Sequence, residues 1–129
     1  MLRLFLTMGL LSFLFGCSRP QLVEGGLYYA PGENGGFSVL KILKLDDGGV
    51  HVRLYSNHFT TPPTKIDEGT LYMAGMSRKP GEQLGMGHAP ISKKSFAGWK
   101  AVFVQQSSIK KEELEGYEMW LEAKGGYFD

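Results

Sequence analysis

The feature that most limits how this chain can fold is Asp46-Asp47-Gly48-Gly49, set between two long runs of strand-forming residues. An Asp-Gly pair between such runs is a strong short-range hairpin signal, because glycine accepts a positive φ without a Cβ clash. Residues 37–45 read as the strand before this turn and residues 50–56 as the strand after it. In the second run Val50, Val52 and Leu54 alternate with His51, Arg53 and Tyr55. A period of two sends the aliphatic side chains to a core and the polar trio to the opposite, outer face. An earlier strand is expected at residues 27–30, joined to the first hairpin through the turn-rich stretch from Pro31 to Gly36. Together these runs predict an antiparallel meander.

Downstream, Pro62-Pro63 lies in residues 57–69 and marks them as loop, since proline lacks the N–H that a ladder needs. A fourth strand is expected at residues 70–74, and the glycine- and proline-rich residues 75–90 read as a long irregular connection. Ser92 is placed to cap a short helix running to about Trp99, its hydroxyl accepting from an otherwise orphan N–H. Residues 101–105 read as a fifth strand. The clearest helix follows, with Glu112, Glu113 and Glu115 near its N-terminus, where the helix dipole favours anions, and Gly125-Gly126 at its end. Leu114, Tyr117 and Leu121 share one face of it. Trp99, Trp120, Tyr127 and Phe128 are expected to pack the helical section against the sheet, with Met119 exposed.

The first residues follow a different logic. Arg3 supplies a positive start, and Leu4 to Phe15 is an apolar stretch that stops at Gly16-Cys17. This is the pattern of a secretory signal, too short for a comfortable span of roughly 20 apolar residues. The run Leu14-Phe15-Gly16-Cys17 resembles the lipobox of bacterial lipoproteins, in which a small residue precedes a cysteine that is diacylated on sulfur before cleavage. Cys17 is the only cysteine of the chain, so it has no internal disulfide partner. The resemblance implies a signal peptide at 1–16, a lipidated tether at 17–24 and one domain at 25–129. It also implies a membrane partner through the lipid anchor. With serine following the cysteine, the expected address is the outer membrane, facing the periplasm.

The pattern of residues 36–57 resembles the hairpins of SH3-like and Tudor-like barrels. The phrases GVHVRLYSN, GMGHAP and EELEGYEMW resemble an uncharacterised bacterial domain family, which brings no activity with it. The fold expected is therefore mainly β with some α: a small SH3-like antiparallel barrel or meander, a short helix and a C-terminal helix.

At 129 residues the chain suits one small domain. Its 14 basic and 13 acidic residues balance once Arg3 leaves with the signal. That argues against nucleic acid as a partner, which would ask for a clustered basic excess.

Three histidines, His51, His58 and His88, are the first candidates for chemistry. No pair has helical metal-ligand spacing and the cysteine is committed, so neither a metal nor another cofactor is expected. No Gly-x-Ser-x-Gly segment seats a nucleophile. In Gly85-Met86-Gly87-His88-Ala89-Pro90 the preferred reading is a structural turn. The candidate ligand surface is the polar strand face of His51, Arg53 and Tyr55, joined by Asn57, His58 and His88. Arginine offers a planar fork for carboxylates and tyrosine a flat surface with a hydroxyl. Tyr28, Tyr29 and Phe59 are possible neighbours, though the tyrosines fit a core better.

The functional expectation is a non-catalytic lipoprotein that binds or scaffolds a peptide, a glycan or an envelope protein. The alternative is a small envelope hydrolase pairing His88 or His58 with a loop carboxylate such as Asp67 or Glu82.

Overall fold

The computed structural model describes residues 22–32 and 35–129. The expected signal peptide, Cys17 and the first part of the tether lie outside the described residues. Five strands form a single antiparallel sheet: β1 (Gly26–Pro31), β2 (Phe37–Leu45), β3 (Gly49–Phe59), β4 (Met86–Ser92) and β5 (Val102–Gln106), in the order β4-β3-β2-β1-β5. Two short helices, α1 (Lys93–Gly98) and α2 (Glu115–Glu122), complete the mainly β fold. Of the two architectures expected, the meander is the one observed. The sheet is open, with β4 and β5 as its edges.

The alternation in β3 sorts side chains as the period of two demands. Val50 and Val52 join Tyr28, Leu40, Ile42, Ala89, Ile91 and Phe96 in one core, covered by α1. Ser92 caps α1 as expected, its Oγ accepting from Ser95 N at 3.2 Å. Burying each large aliphatic or aromatic side chain of this set contributes about 1.5–3 kcal/mol. The other sheet face carries a smaller apolar cluster of Leu27, Val39, Tyr55 and Ile66, and beside it a belt of buried polar groups. A register shift between Ile42 and Lys44 places Leu43 in a bulge and turns Lys44 to the same side as Lys41, His51 and Arg53.

Packing starts slightly earlier than the expected boundary at Gly25. Leu22 and Val23 pack on the α1-covered core, and Val23 N donates to the Tyr28 hydroxyl at 2.8 Å. The strand expected at residues 70–74 does not form. Glu68–Thr70 is a 3-10 turn capped by Asp67, and the segment after it is tied to β3 partly through side chains. Tyr72 N donates to Asn57 Oδ1 at 3.0 Å, and Ala74 N donates to Ser56 Oγ at 2.6 Å.

The real fourth strand lies in the segment expected to be irregular. Pro90 is accommodated there because β4 is an edge strand. The Pro90 carbonyl points away from β3 and accepts from Phe128 N at 2.8 Å, so the missing N–H falls on the outer side. A parallel bridge between Ile91 and Phe128 covers that edge. Among the described residues no helix is long and apolar enough to cross a membrane.

Candidate functional site

The polar side of the β2–β3 hairpin begins at its turn. Asp46 Oδ1 accepts from Gly48 N at 3.0 Å and from Gly49 N at 2.9 Å, an Asx turn that fixes the carboxylate beneath the sheet end. Neither glycine has the positive φ expected for this turn. They are required for another reason. A Cβ on Gly48 would lie 2.6 Å from the Tyr127 ring, and one on Gly49 would lie 2.2 Å from the Ile91 carbonyl oxygen. Close approach of Tyr127 and of β4, rather than backbone conformation, selects glycine here.

The fixed carboxylate then orients His51. His51 Nε2 lies 2.8 Å from Asp46 Oδ2, and His51 Nδ1 lies 2.9 Å from His88 Nε2. The Tyr127 hydroxyl also donates to Asp46. With Asp46 ionised, His51 donates through Nε2, so in the neutral ring Nδ1 accepts and His88 donates from its own Nε2. The result is a linear Asp46–His51–His88 relay whose outer end is His88 Nδ1. That nitrogen has no hydrogen bond among the described residues and is not a buried orphan, so it faces solvent.

The relay is roofed by aromatic rings. His51 stacks on His88 with centroids 5.1 Å apart, and it meets Tyr117 and Trp120 edge to face at 4.8 and 4.5 Å. Gly116 allows this closure, since a Cβ there would lie 2.6 Å from His88 Cβ.

The electrostatics follow from these contacts. Burial pushes the Asp46 carboxyl up, but the Tyr127 and His51 hydrogen bonds and the Gly49 amide outweigh it and hold the group down at about 2. Burial, followed by repulsion from His51, lowers the His88 pKa and favours its neutral form. Burial and the adjacent Asp46 raise the Tyr127 pKa, keeping its proton on the hydroxyl.

Further along the same face, Lys41 Nζ and Glu113 Oε1 form a buried ion pair at 2.9 Å. Lys41 also donates to the Ser108 carbonyl at 2.6 Å, and Glu113 accepts from Lys110 N at 2.8 Å. Beside this pair, Arg53, Tyr55, Glu68, Leu71 and Lys110 help to line a cleft of about 400 Å³. Arg53 approaches Glu113 through Nε at 3.7 Å and also interacts with the Tyr55 hydroxyl beside it. Burial, with the Glu113 charge adding to it, raises the Tyr55 hydroxyl to about 12.

The expected ligand face is therefore divided. Arg53 and Tyr55 line one cleft, Tyr55 largely buried. His51, expected on a solvated face, is fully buried, because α2 and Tyr127 cover the strand there. His88 joins His51 and does not merely hold a turn. Asn57 pins the segment after the 3-10 turn, its Nδ2 donating to the Thr70 carbonyl at 2.9 Å. His58 is exposed on the far end of β3, near the Gly35 carbonyl at 3.3 Å.

The carboxylates proposed as histidine partners are engaged locally. Asp67 accepts from Gly69 N at 3.0 Å, and Glu82 accepts from the Tyr72 hydroxyl and from Lys79 N. The carboxylate that meets a histidine is Asp46, which sequence reasoning assigned only to a turn. Its spacing from His51, five residues across a two-stranded hairpin, was the available signal.

Chemically, the relay can take up and release one proton at His88, supported by a fixed carboxylate. Neither ring hydrogen-bonds a serine, threonine or cysteine among the described residues, so no nucleophilic triad is completed. No group of three or more His, Cys, Asp or Glu among the described residues is arranged to hold a metal ion. The ring nitrogens that could serve are spent largely on one another. No protein-family model matches the chain, and neither a curated protein nor a solved structure does so.

Proposed function

We propose that this chain is a lipid-anchored envelope protein whose folded part is a non-catalytic binding module, taking the carboxylate of a peptide or glycan at the Arg53–Tyr55 cleft. One observation carries the reading. The open space on the polar face lies at Arg53, beside Tyr55 and Lys110, whereas His51 is fully buried under aromatic rings. A guanidinium fork matches a carboxylate in two parallel hydrogen bonds, and Tyr55 supplies a flat wall. The anchor rests on Leu14-Phe15-Gly16-Cys17.

Two measurements on one preparation test both halves. Intact-mass analysis of membrane-fraction protein should show loss of residues 1–16 and added acyl mass, both absent in Cys17→Ser. Titration with an acetylated tripeptide bearing a free C-terminal carboxylate should give saturable binding without turnover. Arg53→Gln should weaken it by roughly tenfold or more, the loss of a charge-assisted hydrogen bond of about 1.5–3 kcal/mol. Equal binding of the C-terminal amide of the same peptide would sink the carboxylate reading.

The Asp46–His51–His88 relay favours a second reading, a small envelope hydrolase with His88 as general base. Under that reading, His88→Gln abolishes turnover of an ester or amide substrate while the fold persists.

A further inference from the structure

On the opposite side of the sheet from Arg53, a pocket of about 390 Å³ opens between α1 and the end of the β2–β3 hairpin. Its walls are Leu22, Leu45, Val50, Phe96, Ala97 and Ala101, all carbon toward the cavity. Pockets of this size and lining fall within the range that holds small ligands. Lys93 and Lys100 stand at its mouth, both exposed, with no ion pair or hydrogen bond from either ammonium among the described residues. Lys100 sits in the left-handed region at φ 56°, an unfavourable conformation for a residue with a Cβ, on the turn that brings it to the pocket.

The acid at the rim, Asp46, forms an ion pair with neither lysine. Its oxygens are occupied by the Gly48 and Gly49 amides, by His51 and by the Tyr127 hydroxyl on the other side of the hairpin. Nearby, Glu24 has one oxygen accepting from Leu45 N at 2.9 Å.

An apolar chamber with a cationic mouth matches one ligand chemistry: a single hydrocarbon chain ending in an anion. We propose that this pocket binds a free fatty-acid carboxylate, the chain against Phe96, Val50 and Leu45 and the carboxylate between Lys93 and Lys100. A diacyl phospholipid carries a second chain that this volume does not accommodate beside the first. A fatty alcohol would fill the chamber and forgo the lysines. The site is separate from the Arg53 cleft, so it stands or falls independently of the peptide-binding reading.

The test uses the full-length chain in vesicles of neutral phosphatidylcholine and a palmitic acid analogue bearing a diazirine and an alkyne. Photolabelling should map to residues 93–101 and 45–50. Octanoate, decanoate and dodecanoate should compete with potency rising roughly fourfold per methylene until the pocket is full. Ala97→Phe, at an exposed helix position beside the cavity, should cut labelling at least tenfold with an unchanged melting temperature. Lys93→Gln combined with Lys100→Gln should weaken dodecanoate about tenfold and leave dodecanol as it was. Labelling spread along the chain, labelling indifferent to Ala97→Phe, dodecanol as potent as dodecanoate in the wild type, or equal displacement by phosphatidylglycerol vesicles would each overturn the proposal.

Discussion

The two faces of the sheet are built by opposite means. Under α1 the core is hydrocarbon, with Ile42 and Val52 fully buried and Leu40, Val50 and Ile91 nearly so. Under the C-terminal segment, Lys41, His51 and Glu113 are buried as well, and each is held by named partners. An apolar side chain contributes by the area it removes from water, whatever it touches. A buried charge is tolerated only while its partner stays, so its contribution belongs to a pair. The first face should respond to side-chain size and ignore pH. The second should respond to charge and follow it.

The largest effect is expected at the ion pair. Glu113→Leu leaves the Lys41 ammonium buried beside a single carbonyl and should destabilise the protein by roughly 3–5 kcal/mol in urea unfolding. Adding Lys41→Met should recover most of that loss. If the double variant is no better than the single one, the pair is not coupled and the contrast between the faces weakens.

Next comes the apolar face, where Ile42→Ala should cost about 3 kcal/mol, the lost transfer energy plus the cavity left behind. That cost should be the same at pH 8 and at pH 5.5. A pH-dependent cost would mean that the two faces are not separable.

The smallest effect concerns the relay. The folded His88 pKa is lowered by burial and His51, so below its ordinary value of about 6.5 the unfolded chain binds more protons than the folded one. Stability is therefore fully present above that pH and falls as the pH drops toward the folded value, with a slope of at most about 1.4 kcal/mol per pH unit. Asp46 has the same sign in a lower window. Its stabilisation is present above about 3.8 and is lost as the pH falls toward 2. Melting curves from pH 8 to pH 2 should show both limbs, and His88→Gln should remove only the upper one. A profile unchanged in His88→Gln would show that the relay does not titrate with folding.

This contrast also explains how far the sequence could be read. The period of two in residues 50–54 sorted the side chains of β3 onto two faces, and the structure keeps that sorting. Ser92 was legible as a cap, but the helix expected to stop at Gly125-Gly126 ends at Glu122, with Lys124 taking the left-handed φ, and Gly125 is required by the close approach of Trp120. What failed was the inference that a polar face is a solvated face. His51 reads as exposed because nothing near it in sequence announces Tyr117, Trp120 and Tyr127, which arrive from the far end of the chain. The β4 strand was missed because Gly87 and Pro90 count against a central strand, while its place at the edge, with Phe128 alongside, makes both acceptable.

Local sterics and alternation act between neighbours, so the sequence by itself determined the strands of the central hairpin, the faces of β3 and the cap of α1. Pairing acts across the fold. Lys41 finds Glu113 72 residues away, His51 finds His88 37 residues away, and Tyr127 reaches Asp46 across 81. Only the tertiary structure decided which polar residues are buried and with whom, because a polar group's fate depends on its partner, and the partner's arrival is set by how the whole chain closes over the sheet.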